Sequence, residues 1–410
     1  MIERAELAER YGTPLYVYDL DRIAAARRDL RAALPGQVTI YYAVKANPHP
    51  DVLRAMREGD GPPCRTEISS TGELAAVLDA GFSGADCLYT GPGKTTAELQ
   101  EAIGLGVRTF SVESVTDLRR IGAVAKEYGV TANCLLRVNS ASAAATTSIR
   151  MTGTPSQFGF DAESLAATMP ELRDVPGVRL AGAHFFPLSN ARDEESLIAE
   201  FRHTIAGAAR LREETGLPID LLDIGGGFGA PYAHPGERPA YPKLRDELER
   251  ALDVHMPRWR DGSPEIAVES GRHLVADCGE LICQVVNVKR SRGRTFVIVD
   301  AGINAFGGMS GLGRLLPPSV GLSHPAGPAS GTATIVGPLC TPGDVIGREV
   351  EMPPVEPGDL IAVPNTGAYG VTSSLLMFLG RPAPMEVAVR GGAVVSASRL
   401  GHHRAHQGGG

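Results

Sequence analysis

No apolar run in this 410-residue chain reaches the roughly 20 residues that a bilayer-spanning helix needs, which excludes a transmembrane helix. The opening Met1-Ile2-Glu3-Arg4-Ala5-Glu6 lacks the basic-then-apolar pattern of a secretory leader. Cysteine is scarce and scattered. Cys64, Cys87, Cys134, Cys278, Cys283 and Cys340 form no C-x-x-C pair, so neither a disulfide framework nor a zinc site is expected, and a reducing cytoplasm fits. Charge of one sign is never concentrated. Forty basic against forty-seven acidic residues give a net charge of −7 without long blocks, which argues against nucleic acid or an anionic membrane as the main partner. The histidines of His402-His403-Arg404-Ala405-His406 precede a glycine run and read as a disordered tail over 401–410 rather than a metal site.

What the chain has is repetition. From about residue 38 to 270, short β-branched runs alternate with longer helical stretches: Val38–Val44, Thr109–Val112, Cys134–Val138, Val178–Ala183, Ile219–Ile224 and Ile266–Val268. Between two of them, Glu194–Thr215 sets Leu197, Ile198, Phe201, Ile205, Ala208 and Leu211 on one helical face. Repeated β-then-α units imply a parallel sheet, and their number and length suit an α/β fold of the (β/α)8 TIM-barrel kind. Lys45, Arg137, His184, the Gly225-Gly226-Gly227 turn and Glu269 each lie at or just past the end of a run. A barrel gathers such positions at one mouth, whereas an open doubly wound sheet collects only a few at its switch point. After about residue 275, Leu281–Val288, Thr295–Val299, Thr332–Val336, Leu360–Val363 and Val387–Val389 are strand-like between Gly/Pro turns, which predicts a separate C-terminal antiparallel β domain. Leu15-Tyr16-Val17-Tyr18 precedes the first barrel unit and is a candidate to join it. The expected organisation is an N-terminal segment over 1–30, a barrel over 31–275 and a β domain over 276–400, with a long mobile loop from Gly307 to Ser330.

Tyr41-Tyr42-Ala43-Val44-Lys45-Ala46-Asn47 is an apolar run that ends on a lysine. Burial disfavours an ammonium, so the residue suits either an amine that forms a Schiff base with an aldehyde cofactor or an ion pair at the barrel mouth. Leu222-Asp223-Ile224-Gly225-Gly226-Gly227-Phe228-Gly229 runs from a strand into a glycine turn whose N–H groups can approach a phosphate. It is not G-x-G-x-x-G, so no dinucleotide is required, and a plain tight turn is the alternative. Glu269, in Val268-Glu269-Ser270-Gly271-Arg272, can keep a pyridine nitrogen protonated, and Arg272 can neutralise a phosphate or carboxylate; a local ion pair explains the same pattern. Cys340, in Gly337-Pro338-Leu339-Cys340-Thr341-Pro342-Gly343-Asp344, is either a proton-donating loop thiol or a small structural cysteine. Tyr369 sets a phenol between Gly367 and Gly370, able to bond a phosphate or substrate, or simply to fill a core or surface position.

In this order, and along nearly the whole chain, the motifs resemble those of the fold-type III pyridoxal-phosphate decarboxylases, the family of diaminopimelate, ornithine and arginine decarboxylases. The resemblance implies an alanine-racemase-like barrel with a β domain, pyridoxal 5'-phosphate as cofactor, and a head-to-tail homodimer with shared active sites. By position, Lys45 matches the Schiff-base lysine and Glu269 the partner of the pyridine nitrogen. Gly225, Gly226, Gly227, Arg272 and Tyr369 match the phosphate-binding set, Glu67 the acidic residue near the cofactor, and Arg137 an arginine of the same pocket. Cys340 matches the protonating thiol, which the family delivers from the neighbouring subunit.

Two departures bear on the chemistry. Where many relatives have His-x-His-x-Gly-Ser, this chain reads His184-Phe185-Phe186-Pro187-Leu188-Ser189. His184 stays in the catalytic set, but Phe186 takes the place of the histidine that stacks on the cofactor ring, and an aromatic face carries no proton. Leu188 replaces the glycine ahead of Ser189, the expected phosphate contact. The acidic residue that follows the cysteine in basic-amino-acid decarboxylases is Thr341 here, with Asp344 three further on, and Arg314 is the candidate for a diaminopimelate-type arginine. An unpaired substrate amine in a buried site costs about 1–3 kcal/mol or more, which disfavours lysine, ornithine and diaminopimelate and leaves Arg314, Thr341 and Asp344 as candidate substrate contacts. Cys340-Thr341-Pro342, Gln157-Phe158-Gly159, Ser148-Ile149-Arg150-Met151-Thr152-Gly153 and Phe378-Leu379-Gly380-Arg381-Pro382 resemble the subgroup containing the butirosin-pathway decarboxylase, which acts on a glutamyl group tethered to an acyl-carrier protein. The resemblance implies α-decarboxylation of an amino acid or derivative, free or carrier-bound, in a specialised-metabolite pathway. Racemisation or substitution on a derivatised amino acid, and a catalytically retired regulatory or carrier-binding module, are the alternatives.

Overall fold

The computed structural model describes residues 2–59, 61–140, 149–150, 155–191, 193–307, 322 and 330–404. The chain divides into two units, one of residues 24–230 and 238–274, the other of residues 1–23, 231–237 and 275–410. The first strand, β1 (Leu15–Asp19), belongs to the second of these.

In the larger unit, β2 (Thr39–Ala43), β3 (Arg65–Ile68), β4 (Cys87–Tyr89), β5 (Thr109–Val112), β6 (Ala132–Asn139), β7 (Val178–Phe185), β8 (Leu221–Asp223) and β9 (Glu265–Ser270) pair in that order. Every pairing is parallel, and β9 returns to β2 to close the ring. Closure leaves no strand edge unpaired. Tyr41, Leu88, Leu135, Ala181 and Ala267 pack together as one apolar cluster, with Leu221 against them. Parallel crossings need helices, and side-chain caps start them: Ser70, Thr95, Ser114 and Asp193 accept from the backbone N–H groups of Glu73, Glu98, Asp117 and Ser196. Helix Glu194–Thr215 buries the apolar face read from its spacing and stops at Gly216, whose φ of 63° lies in the left-handed region. All six runs read as barrel strands are present. The structure adds β3 and β4, which are too short to show an alternation, and β3 carries Thr66 and Glu67 as well.

The other unit is a sheet of β1 with β10 (Gly279–Ser291), β11 (Arg294–Val299), β12 (Gly331–Val336), β13 (Val345–Met352), β14 (Leu360–Pro364), β15 (Met385–Arg390) and β16 (Ala393–Arg399). Its order is β13-β12-β11-β10-β1-β15-β16, with β14 also on β10. Most neighbours are antiparallel, but β1–β15 and β11–β12 are parallel, so the sheet is mixed. Leu7, Leu15, Ile282 and Val387 form a core cluster. Pro231–Glu237, which the sequence leaves inside the barrel, folds with this unit instead. The Tyr232 hydroxyl donates to the Tyr369 carbonyl at 3.0 Å, Ala233 N to Asn365 O at 3.3 Å, and Asn365 Nδ2 to the His234 carbonyl. The expected loop from Gly307 to Ser330 lies outside the described residues except at Gly307, Leu322 and Ser330, and so do residues 405–410 of the tail. No helix among the described residues is long and apolar enough to cross a membrane.

Candidate active site

Strand β2 ends at Ala43, and Val44–Ala46 forms one 3-10 turn that lifts Lys45 out of the sheet. The Tyr42 hydroxyl fixes that turn by donating to Asn47 O at 2.8 Å. Lys45 Nζ donates to Glu67 Oε2 at 2.7 Å; the lysine side chain is 41% exposed and the glutamate 2%, so the amine is open to approach while its partner is not. Glu67 stands opposite Ala43 in the β2–β3 register, and its other oxygen accepts from the Thr90 and Ser69 hydroxyls.

On β9, adjacent to β2, Glu269 is buried. Its Oε1 lies 3.2 Å from His184 Nε2, at an angle that leaves both atoms without a formed hydrogen bond. His184 Nδ1 is 2.7 Å from Ser111 Oγ. Asp223, opposite His184 in the β7–β8 register, accepts the Gly225 N–H at 2.9 Å. One atom each from His184, Asp223 and Glu269 lies within 4.8 Å of the others. Burial works against the His184 imidazolium, but the Glu269 and Asp223 carboxylates outweigh it and raise the pKa. Burial likewise disfavours the Glu269 carboxylate, but the charge and contact of His184 outweigh it and lower the pKa. For Asp223, burial and the Glu269 charge act together and push the carboxyl up to about 7.

Arg137 NH1 donates to Glu113 Oε1 at 3.2 Å, while Glu113 Oε2 accepts the Gly159 N–H at 2.7 Å. The guanidinium lies 4.7 Å from the Phe158 ring centroid and 5.9 Å from that of Phe186. Phe186 is half-buried, with its ring centroid 5.7 Å from Lys45 Nζ. Gly225 and Gly227 adopt φ of 80° and 114°, which favour glycine. A Cβ on Gly226 would meet the Glu269 carbonyl oxygen at 2.6 Å, and one on Gly227 would meet the Leu188 side chain at 2.2 Å. Leu188 thus packs where Gly227 has no side chain. Ser189 is half-buried in a two-residue strand with Leu188, and buried Arg272 opens the short helix Arg272–Val275.

An approachable amine, a buried carboxylate oxygen without a formed bond, an aromatic face and a turn bare of side chains fit pyridoxal phosphate. In the β unit Cys340 is exposed, and Tyr369 is half-buried with φ 53°. Thr341 Oγ1 accepts the Gly343 N–H at 3.3 Å. Asp344 departs from its expected role as a substrate contact. Its Oδ1 accepts Ile303 N–H at 2.8 Å and its Oδ2 accepts Leu339 N–H at 2.7 Å, so the buried carboxylate is engaged by its own fold. Arg314, Ser148 and Met151–Gly153 lie outside the described residues. Ser111, Glu113, Phe158, Thr90 and Asp223 join the site without having been singled out for it. Ser111 and Asp223 carried a readable signal, because each sits at a strand's C-terminal end.

Barrel, lysine and glycine turn together define a barrel-type pyridoxal-phosphate enzyme. Residues 20–276 match the family model described as "Pyridoxal-dependent decarboxylase, pyridoxal binding domain", and the chain belongs to this family. It is a pyridoxal-phosphate-dependent carboxy-lyase acting on an amino acid or amino-acid derivative. The chain is 33% identical to the L-glutamyl-[BtrI acyl-carrier protein] decarboxylase of Niallia circulans, over 97% of this chain and 94% of that one. It is 34% identical to the diaminopimelate decarboxylase of Deinococcus radiodurans, over 93% and 91%. Among solved structures it is similar to the diaminopimelate decarboxylase of Helicobacter pylori complexed with L-lysine, with a TM-score of 0.80 and 28% identity over 94% of each chain.

Proposed function

We propose that this enzyme removes the α-carboxylate from an amino-acid derivative whose side chain ends in an acyl linkage to a carrier protein, as a step in a specialised-metabolite pathway in the cytoplasm. The observation that carries the site assignment is the Lys45–Glu67 pair: Lys45 follows β2, which lies between β3, bearing Glu67, and β9, bearing Glu269. The Lys45 amine would hold the cofactor through its aldehyde carbon. The amides of Gly225, Gly226 and Gly227, with Ser189 and Arg272, would hold its phosphate, and Glu269 would pair with its pyridine nitrogen. Pyridoxal phosphate, when bound, supplies the electron sink for the pair left on Cα as CO2 departs. Glu67 keeps the Lys45 amine oriented. His184 keeps Glu269 ionised, and Phe186 offers an apolar face with no proton of its own. Arg137, anchored by Glu113, is a fixed cation in the pocket. The Cys340 thiol returns a proton to Cα, in a homodimer with shared active sites.

Two features support an acylated side chain over a free distal amine. Thr341 follows the cysteine, and the Asp344 carboxylate is held by the Ile303 and Leu339 amides. A substrate ammonium there would lack its partner. The Niallia circulans relative, by its name, acts on a glutamyl group carried on a protein. The test compares CO2 release from glutamyl-carrier protein with release from free lysine, ornithine and diaminopimelate. Faster release from the carrier-linked substrate supports the proposal, and the reverse order overturns the substrate. Borohydride reduction followed by peptide mapping tests the site: attachment at any lysine other than Lys45 overturns it.

A further inference from the structure

We propose that Tyr241 and His273 are positioning residues that hold the phosphate-binding turn by gripping Gly229 from both sides. The inference rests on the cofactor assignment above and concerns residues outside the set proposed there. Gly229 closes the glycine run. Its N–H donates to the Tyr241 hydroxyl oxygen at 2.8 Å, and its carbonyl accepts from His273 Nδ1 at 2.9 Å. The two side chains arrive from different directions in sequence: Tyr241 just ahead of helix Leu244–His255, His273 immediately after Arg272.

Both are buried, and their rings are 5.3 Å apart. The Phe228 ring packs against each, at 5.7 Å from Tyr241 and 6.1 Å from His273, so the clamp is braced by apolar contact. No side chain fits at residue 229, where a Cβ would lie 2.8 Å from the Ala191 carbonyl oxygen. The same stretch is tied to a third segment: Ala191 N–H donates to Gly227 O at 2.8 Å, and Ala230 N–H to Asn190 Oδ1 at 3.3 Å. Ser189, the Gly225–Gly227 turn and Arg272 are the phosphate contacts proposed for this unit, and bonds at or beside Gly229 join all three segments. The direction of successive N–H groups decides how well a turn holds an anion, so fixing its far end fixes the grip.

Neither clamp residue is charged at neutral pH. Burial pushes His273 down to about 4 and the Tyr241 phenol up to about 12. His273 is therefore neutral, with its proton on Nδ1 facing the carbonyl. Their contribution is geometric, and it concerns the phosphate alone.

Pyridoxal phosphate and pyridoxal, which has the same ring and aldehyde but no phosphate, separate this role from general stabilisation. Tyr241→Phe removes the acceptor, His273→Leu removes the donor, and His273→Gln keeps one. Dissociation constants for both compounds are measured by absorbance titration. In Tyr241→Phe and His273→Leu, affinity for pyridoxal phosphate is expected to fall about tenfold with pyridoxal unchanged, and His273→Gln to recover part of the loss. Equal losses for both compounds, or none, overturn the clamp. If Tyr241→Phe does not fold, the two His273 variants decide by the same ratio. Wild-type protein that holds no cofactor on Lys45 overturns the functional reading itself; wild-type attachment with an unmoved ratio overturns only the clamp.

Discussion

Asp223 and Glu269 reach the same histidine from adjacent strands, yet their carboxyl groups are displaced in opposite directions. An aspartate raised from 3.8 to about 7 keeps a proton in the fold that the unfolded chain has already released between those values. Its contribution to stability is therefore present below about 3.8 and is lost as pH rises to about 7. Asp223→Asn retains Oδ1 for the Gly225 amide and removes the titration. Thermal melts should show the variant gaining on wild type steadily across that interval, and a pH-independent difference would mean that Asp223 ionises freely in the fold. For Glu269→Gln, kcat should fall by about 100-fold or more, while borohydride still fixes pyridoxal phosphate to Lys45. At this scale the sequence was legible wherever a polar residue interrupts an apolar run, as at Lys45, His184 and Glu269. Glu113, although it directly follows the run Thr109–Val112, and Phe158 stayed hidden, because what brings them to Arg137 is a tertiary contact.

Strands β7 and β8 approach so closely at the Gly182–Leu221 pair that a Cβ on Gly182 would lie 1.8 Å from the Leu221 carbonyl oxygen. No rotamer relieves a backbone clash. Gly182→Ala should cost about 3 kcal/mol or more of stability, read from denaturant unfolding, because the ring must open or shift register at the strand carrying His184. A loss under about 0.5 kcal/mol, the range of neutral surface changes, would mean that the barrel yields there. Strands with several β-branched residues were legible as runs. Those that were not had little pattern to offer: β4 has three residues, β13 opens on three buried positions before mixing exposed charges with buried Val350 and Met352, and β16 leaves most of its residues exposed, Val395 among them. The parallel partnership of β1 with β15 could not be read locally at all, because Leu15 pairs with Met385 across almost the whole sequence.

Lys45 and Cys340 belong to different units of the chain, and the proposed homodimer brings them together from different subunits. Mixing inactive Lys45→Ala with inactive Cys340→Ala protein should then restore about a quarter of wild-type activity after subunit exchange, since one site of each mixed dimer is intact. No recovery, with exchange verified by mass, would place both residues of a site in one subunit. The sequence conveyed the sum of the two units well, through the change from helical to turn-punctuated texture near residue 275. It did not convey that the chain visits the β unit once more on the way, because Pro231–Glu237 is recognisable by tertiary contacts, such as its bonds to Asn365 and Tyr369 and the Tyr232 ring against Phe306. For recombination between relatives this changes where crossovers belong. A chimaera cut only near residues 23 and 274 would set a foreign partner against the native His234 carbonyl. One that carries the short Pro231–Glu237 insert along with its sheet transfers a complete module, although the gene stores that module in three pieces.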